Sequence, residues 1–243
     1  MSSSTAPPEG GARAAGRAMA LRGLLVACYL LLAHGAGVGQ DPRLAALALG
    51  DIVALVLLAP LLGLRPWAWG VLALAGAGLA RLAATRYALT PLLLVPPAIV
   101  AFVGFGFART LAPGQVPLIT RMVLAMDDLA PGELEPALLR YTRRLTLAWA
   151  LLLGGLVIFN LVLAAVAVPE GLLAAFGWAS PWPISEGQWA VAAHVGNYGV
   201  IAAFMLVEFR LRQRRFPGRY TGFLHFLRRL AGLGPAFWHG VLR

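Results

Sequence analysis

Apolar residues run through the chain in long blocks, and polar residues gather in the short breaks between them. A helix crosses a bilayer with about 20 mostly apolar residues, at about 1.5 Å of rise each. Six blocks meet that requirement: Gly23–Gly39, Leu44–Leu64, Trp67–Ala84, Leu89–Ala108, Leu145–Val168 and Trp189–Phe209. Residues 1–21 are rich in Ser, Pro, Gly and Ala and predict a disordered basic tail. The longest connection is 109–144. In it, 118–126 predicts a short helix lying on the membrane interface, ended by Asp127-Asp128 and Pro131-Gly132. A second helix starts near Glu133, tolerates Pro136 in its first turn and continues into the fifth block. Pro96-Pro97 breaks the fourth block. Within the tail 210–243, Phe223, Phe226, Leu227 and Leu230 recur at helical spacing, so Tyr220–Leu233 predicts an interfacial amphipathic helix. The pattern reads as an all-α polytopic membrane protein, with a six-helix transmembrane domain over 22–209.

Composition agrees. The chain is 60% hydrophobic and 12% charged, against about 45–50% and about 25% in soluble domains. Thirty-four residues after the last block are too few to bury a core of their own.

Charge adds orientation. The net charge is +10 and every basic residue is arginine. Arg13, Arg17, Arg22, Arg65, the arginines of 109–144 and those of 210–243 fall on one side of a six-span arrangement. Only Arg43, Arg81 and Arg86 fall on the other. The positive-inside rule then puts both termini in the cytoplasm, with a bacterial inner membrane as the setting. Gly35, Ala36, Gly37 and Gly39 also fit a signal-peptide cleavage region after the first block; the C-terminus stays inside on either reading. The loop from Pro169 to Gln188 has no basic residue, and Trp178 and Trp182 fit an aromatic belt or a lid.

Ionisable and amide side chains inside spans are costly and are candidates for function. Asp51 sits roughly 10 Å from the outer end of its span and His194 roughly 8 Å, by helix rise. His34, Arg81 and Asn160 fall in the same outer third. Asn197 and Tyr198 lie on a stripe with His194 that runs on to Glu208. Two readings stay open. One is an outward polar pocket in which Asp51 and His194 handle protons and Asn160, Asn197 and Tyr198 supply hydrogen bonds. The other is that these groups tie helices together. Glu208 lies beside the inner arginines, and a salt bridge to one of them is its plain reading.

Cys28 excludes a disulfide within the chain, and its apolar surroundings leave the thiol inert. No nucleotide, zinc-protease or hydrolase motif occurs. A metal site would need His34, His194 and Asp51 to converge, so no metal and no cofactor are expected. The arginines hug the membrane blocks, which speaks against nucleic acid as a partner.

Two segments carry a resemblance. The first is Phe107-Ala108-Arg109-Thr110-Leu111-Ala112-Pro113-Gly114-Gln115-Val116-Pro117-Leu118-Ile119-Thr120-Arg121, and the second Arg140-Tyr141-Thr142-Arg143-Arg144-Leu145-Thr146-Leu147-Ala148-Trp149. Together with Arg-Arg-Phe-Pro at 214–217 they resemble a family of uncharacterised bacterial inner-membrane proteins associated with aryl polyene or xanthomonadin-type pigment lipid synthesis. Arg109, Thr110, Pro113, Gly114, Pro117, Thr120 and Arg121 fit the pattern; Ala112 and Val116 stand where polar residues are expected. The resemblance implies a role beside acyl-carrier-protein-dependent enzymes. Pro113-Gly114 predicts a tight turn. Arg109 and Arg121 would bracket it, as a pair able to grip a phosphate, with Arg140, Tyr141, Arg143 and Arg144 extending the basic face. The implied role is that of an accessory component contacting anionic lipid and recruiting acyl carrier or synthase proteins. A transporter or flippase for the lipid product is the alternative, and a membrane acyl- or glycosyl-transferase a third.

Overall fold

The computed structural model describes residues 9–130, 132–167 and 171–216, with 228 and 232. These residues are 80% helical, and among them no β-strand forms. The helices are α1 (Glu9–Gly39), α2 (Pro42–Leu62), α3 (Pro66–Ala83), a 3-10 turn at Thr90–Leu94, α4 (Val95–Arg109), α5 (Leu118–Asp127), α6 (Pro136–Val166), α7 (Leu172–Ala175), α8 (Glu186–His194), a π-helical turn at Val195–Gly199, and α9 (Val200–Arg215).

Five stretches of helix are long and apolar enough to cross a membrane: Gly16–Gly39, Pro42–Leu62, Thr90–Arg109, Pro136–Val166 and Gly187–Arg215. α3, the third of the six expected spans, falls outside this set. It has 18 residues, three of them glycine, and carries Arg81 in its last turn.

Local chemistry accounts for the helix ends. Asp41 caps α2 by accepting from the Arg43 backbone N–H at 2.8 Å, and Pro42 takes the first helical position, where no N–H is missed. The prolines at 96 and 97 mark the place where the fourth block changes from a 3-10 turn to an α-helix. They stand in the first turn of α4, directly after the 3-10 turn, where their missing donors cost nothing. The N-terminal segment also differs from expectation. From Glu9 onward it is helical, because Ala-rich sequence with high helix propensity extends the first span backward. The amphipathic segment expected over 220–233 lies outside the described residues, apart from 228 and 232.

The described chain forms two compact units. One runs up to Leu94 and takes in Ala175–Trp178; the other runs from Val95 to Ala174 and from Ala179 onward. In the first unit α1 and α3 each pack on α2. The short connections make both pairings antiparallel, so that Gly35 meets Leu44 and Gly50 meets Leu79. In the second unit α6 packs on α4 and α5.

Both units invert the pattern of a soluble protein. Many fully buried positions hold small or hydroxyl side chains, such as Ala36, Ala45, Ala48, Ala68, Thr142 and Thr146, although Leu138 and Val123 are also buried in the second unit. Large apolar side chains point outward: Leu31 is 74% exposed, Val56 74%, Leu74 75% and Leu151 67%. Water would penalise such a surface and lipid does not, while small residues let helix backbones approach closely.

Candidate functional site

The two segments that carry the resemblance come together in the second unit. Segment 110–117 turns tightly: Gln115 N–H donates to Ala112 O at 3.1 Å, and Gly114 takes φ +79°. This is a type II turn with proline and glycine where that turn requires them, as expected for Pro113-Gly114. The chain then enters α5 with no side-chain cap of its own. Its open N–H groups are met by threonines from elsewhere. Leu118 N–H donates to Thr110 Oγ1 at 3.0 Å and Ile119 N–H to Thr146 Oγ1 at 3.3 Å. Each hydroxyl passes its proton to a carbonyl of its own segment, Phe107 O or Thr142 O, at 2.8 Å. Thr120 and Thr142 share a hydroxyl–hydroxyl bond of 2.7 Å. Because Thr142 donates to Leu139 O at 3.1 Å, Thr120 is the donor between them. All four threonines are buried.

The apolar face of α5 packs inward on the protein. Leu118, Ile119, Thr120, Val123 and Leu124 are all buried, and Val123 and Leu124 form a core with Leu134 and Leu138. Val116, at one of the two departures from the family pattern, packs against that core. Thr142 and Thr146 complete the network; their four-residue spacing, which places them on one helix face, was the available signal.

The arginines divide into two groups. Some brace the fold. Arg121 donates from Nε to Val116 O at 2.9 Å and from Nη2 to Gln115 Oε1 at 3.0 Å, and Arg143 donates to Leu111 O at 3.2 Å. Arg121 is thus turned onto its own loop rather than held out with Arg109 around a phosphate. Arg140 and Arg144 behave differently. One turn apart on α6, they line a hollow of about 590 Å³ together with Glu135, Tyr141, Arg215 and Phe216.

A bonded group of side chains stands beside that hollow. Glu208 and Arg212, both buried, form an ion pair with Nε–Oε1 of 2.7 Å and Nη2–Oε1 of 2.6 Å. This is the salt bridge expected of Glu208. Tyr141 donates its hydroxyl to the same Oε1 at 3.0 Å, and its ring meets Phe216 edge-on at 5.4 Å. The roles of Glu208, Arg212, Arg215 and Phe216 in shaping it depend on how α9 meets α6, which spacing within either helix does not reveal.

Further along α6 two more contacts reach the helix that ends at Arg215. Trp149 lies between Phe107 at 5.9 Å and Phe204 at 4.8 Å. Beyond it, Asn160 and Asn197 form a reciprocal amide pair: Asn160 donates at 2.7 Å and Asn197 at 2.9 Å. Each amide spends its second N–H on the carbonyl four residues before it, Leu156 O or Ala193 O. The pair is closed, which favours the helix-tying reading of these two residues. Asn197 stands in the π-helical turn, where Gly196 lets the Phe159 ring come so close that a Cβ would collide with it. Tyr198 does not join Asn197; it is 72% exposed, as adjacent positions on a helix point about 100° apart.

The other expected pocket residues are divided between the two units. Asp51, His34 and Arg81 belong to the first unit, and Asn160, Asn197 and Tyr198 to the second. His34 and Arg81 are exposed. The side chain of His194 lies outside the described residues. Asp51 borders a groove of about 1020 Å³ lined by Cys28, Arg43, Gly50, Gly76 and Ala80, among others. Its buried Oδ2 has no hydrogen-bond partner among the described residues. Among them, too, no three His, Cys, Asp or Glu side chains converge as metal ligands would.

Compared with protein-family models, curated proteins and solved structures, the chain matches none.

Proposed function

We propose that the chain is a six-span inner-membrane protein with both termini in the cytoplasm, serving as a non-enzymatic accessory component of polyene pigment or lipid synthesis. Its task is to hold acidic acyl carrier or synthase proteins at the bilayer. The observation that carries this is the hollow where Arg140, Arg144 and Arg215 converge beside Tyr141 and Phe216. It lies just before Leu145, where the continuous apolar run of α6 begins, so on this topology it opens at headgroup depth on the inner side. The packing of α3 on α2 supports α3 as a further span beside the five that length and composition identify. The biosynthetic setting rests on the resemblance of 107–121 and 140–149.

Carrier-protein capture on purified protein in nanodiscs tests the reading. Changing Arg140, Arg144 and Arg215 together to glutamine is expected to abolish capture at about 0.15 M salt, where exposed charges act only over about 8 Å. Unchanged capture overturns it.

One observation favours a second reading, a transporter or flippase for the lipid product: the unpartnered Asp51 carboxylate oxygen beside a groove between apolar helices. Lipid appearing on the outer leaflet at the normal rate in an Asp51→Asn strain removes that reading.

A further inference from the structure

We infer that the hollow between the start of α6 and the end of α9 is a phosphate site that takes a phosphate monoester, whether on a lipid headgroup or on a soluble molecule. This deepens the docking reading by naming what the same site grips.

The argument starts from unbalanced charge. Arg140 and Arg144 are one helical turn apart, and like charges at that spacing repel. Arg215 brings a third guanidinium to the same hollow, and among the described residues Glu135 is the only acidic one on its wall. The other carboxylate nearby is already committed: Glu208 Oε1 receives Arg212 twice and Tyr141 once. Arg121 and Arg143 have backbone carbonyls as partners. No hydrogen bond or ion pair engages Arg140, Arg144 or Arg215 among the described residues. Three guanidinium forks around one hollow need an anion with several acceptor oxygens, and a phosphate monoester supplies three with up to two charges. A carboxylate offers two oxygens and one charge.

The aromatic side narrows the ligand further. Tyr141 is pinned through its hydroxyl to Glu208, and Phe216 packs edge-on against its ring. They form an apolar wall beside the arginines, which suits a phosphate joined to a flat or aliphatic group better than a bare ion.

Calorimetry on the full chain in nanodiscs of phosphatidylcholine alone tests this, with inorganic phosphate and phenyl phosphate as probes. Both are expected to bind, phenyl phosphate more tightly. Arg144→Gln and Arg215→Gln should each weaken both by about tenfold or more, the loss of one charge-assisted contact. Phe216→Ala should weaken phenyl phosphate alone. Arg143→Gln, whose guanidinium is held by the loop, should change neither and controls for folding and total charge. Discs containing one-fifth phosphatidic acid separate the sources: if they block phenyl phosphate, the resident ligand is a lipid headgroup, and if they do not, a soluble phosphate ester. No binding of either probe, or binding indifferent to Arg144→Gln and Arg215→Gln, overturns the inference. Carrier-protein capture surviving in that case would leave the docking reading standing on charge alone, and its loss with phosphate binding intact would remove docking but not the phosphate site.

Discussion

In the first unit helices meet largely through alanine and glycine, and Asp51 among them has a buried carboxylate oxygen with no partner among the described residues. In the second unit the helices also meet through polar groups, and most of these are answered: threonine to backbone, amide to amide, tyrosine and arginine to glutamate; the buried Trp189 Nε1, without a partner among the described residues, is the exception. The difference separates structural polarity from available polarity. A side chain whose donors and acceptors are all matched within the fold holds helices together. One left unmatched, as Asp51 and the three arginines of the hollow are, has capacity for something else.

The sharpest break of this contrast is at the buried ion pair. Arg212→Leu strands the Glu208 carboxylate, and the expected loss is about 3–5 kcal/mol, read by unfolding in mixed detergent. Glu208→Leu combined with Arg212→Leu should recover most of it. Equal losses in the single and double variants would show that packing, not stranded charge, sets the cost. A smaller effect is expected at the amide pair. Asn160→Leu and Asn197→Leu should each cost about 0.6–2 kcal/mol, and the double variant should cost clearly less than their sum. Additive losses would mean that the two amides act independently. The smallest effect belongs to Asp51. Asp51→Asn should leave unfolding within about 0.5 kcal/mol of the parent. A loss comparable to that at Asn160 would place Asp51 with the matched groups and end the contrast.

The helices were legible because each is an apolar block with a chemical stop, and Pro42, Pro66, Pro136 and Pro113-Gly114 stand where their conformational limits put them. The union of the two motif segments was not. The caps of α5 come from Thr110 and from Thr146, which is 27 residues from the N–H it receives, and no periodicity within a segment reports a partner so distant. The expected outer pocket rested on depth alone. Equal depth along several helices fixes height in the membrane but not direction around each axis, nor which helices share a unit. So Asn160 and Asn197 pair, Tyr198 turns away, and Asp51 belongs to the other unit. Glu208 was legible because its partner Arg212 lies four residues on along the same helix.

The π-helical turn at Val195–Gly199 has a consequence for insertions and deletions. Upstream, Ser185 and Gln188 fasten the start of the helix through a reciprocal capping box. Downstream, Phe204 and Glu208 fasten its far part to α6. A π-helical turn holds about one residue more than the α-helical turn it replaces, so the parts before and after it keep nearly the orientation they would have in an uninterrupted α-helix. Removing one residue from the turn would leave a regular α-helix with both parts in register, whereas removing one from the α-helix on either side would swing them by about 100° relative to each other. The turn is therefore the place in this helix where a residue can be lost without re-aiming either end.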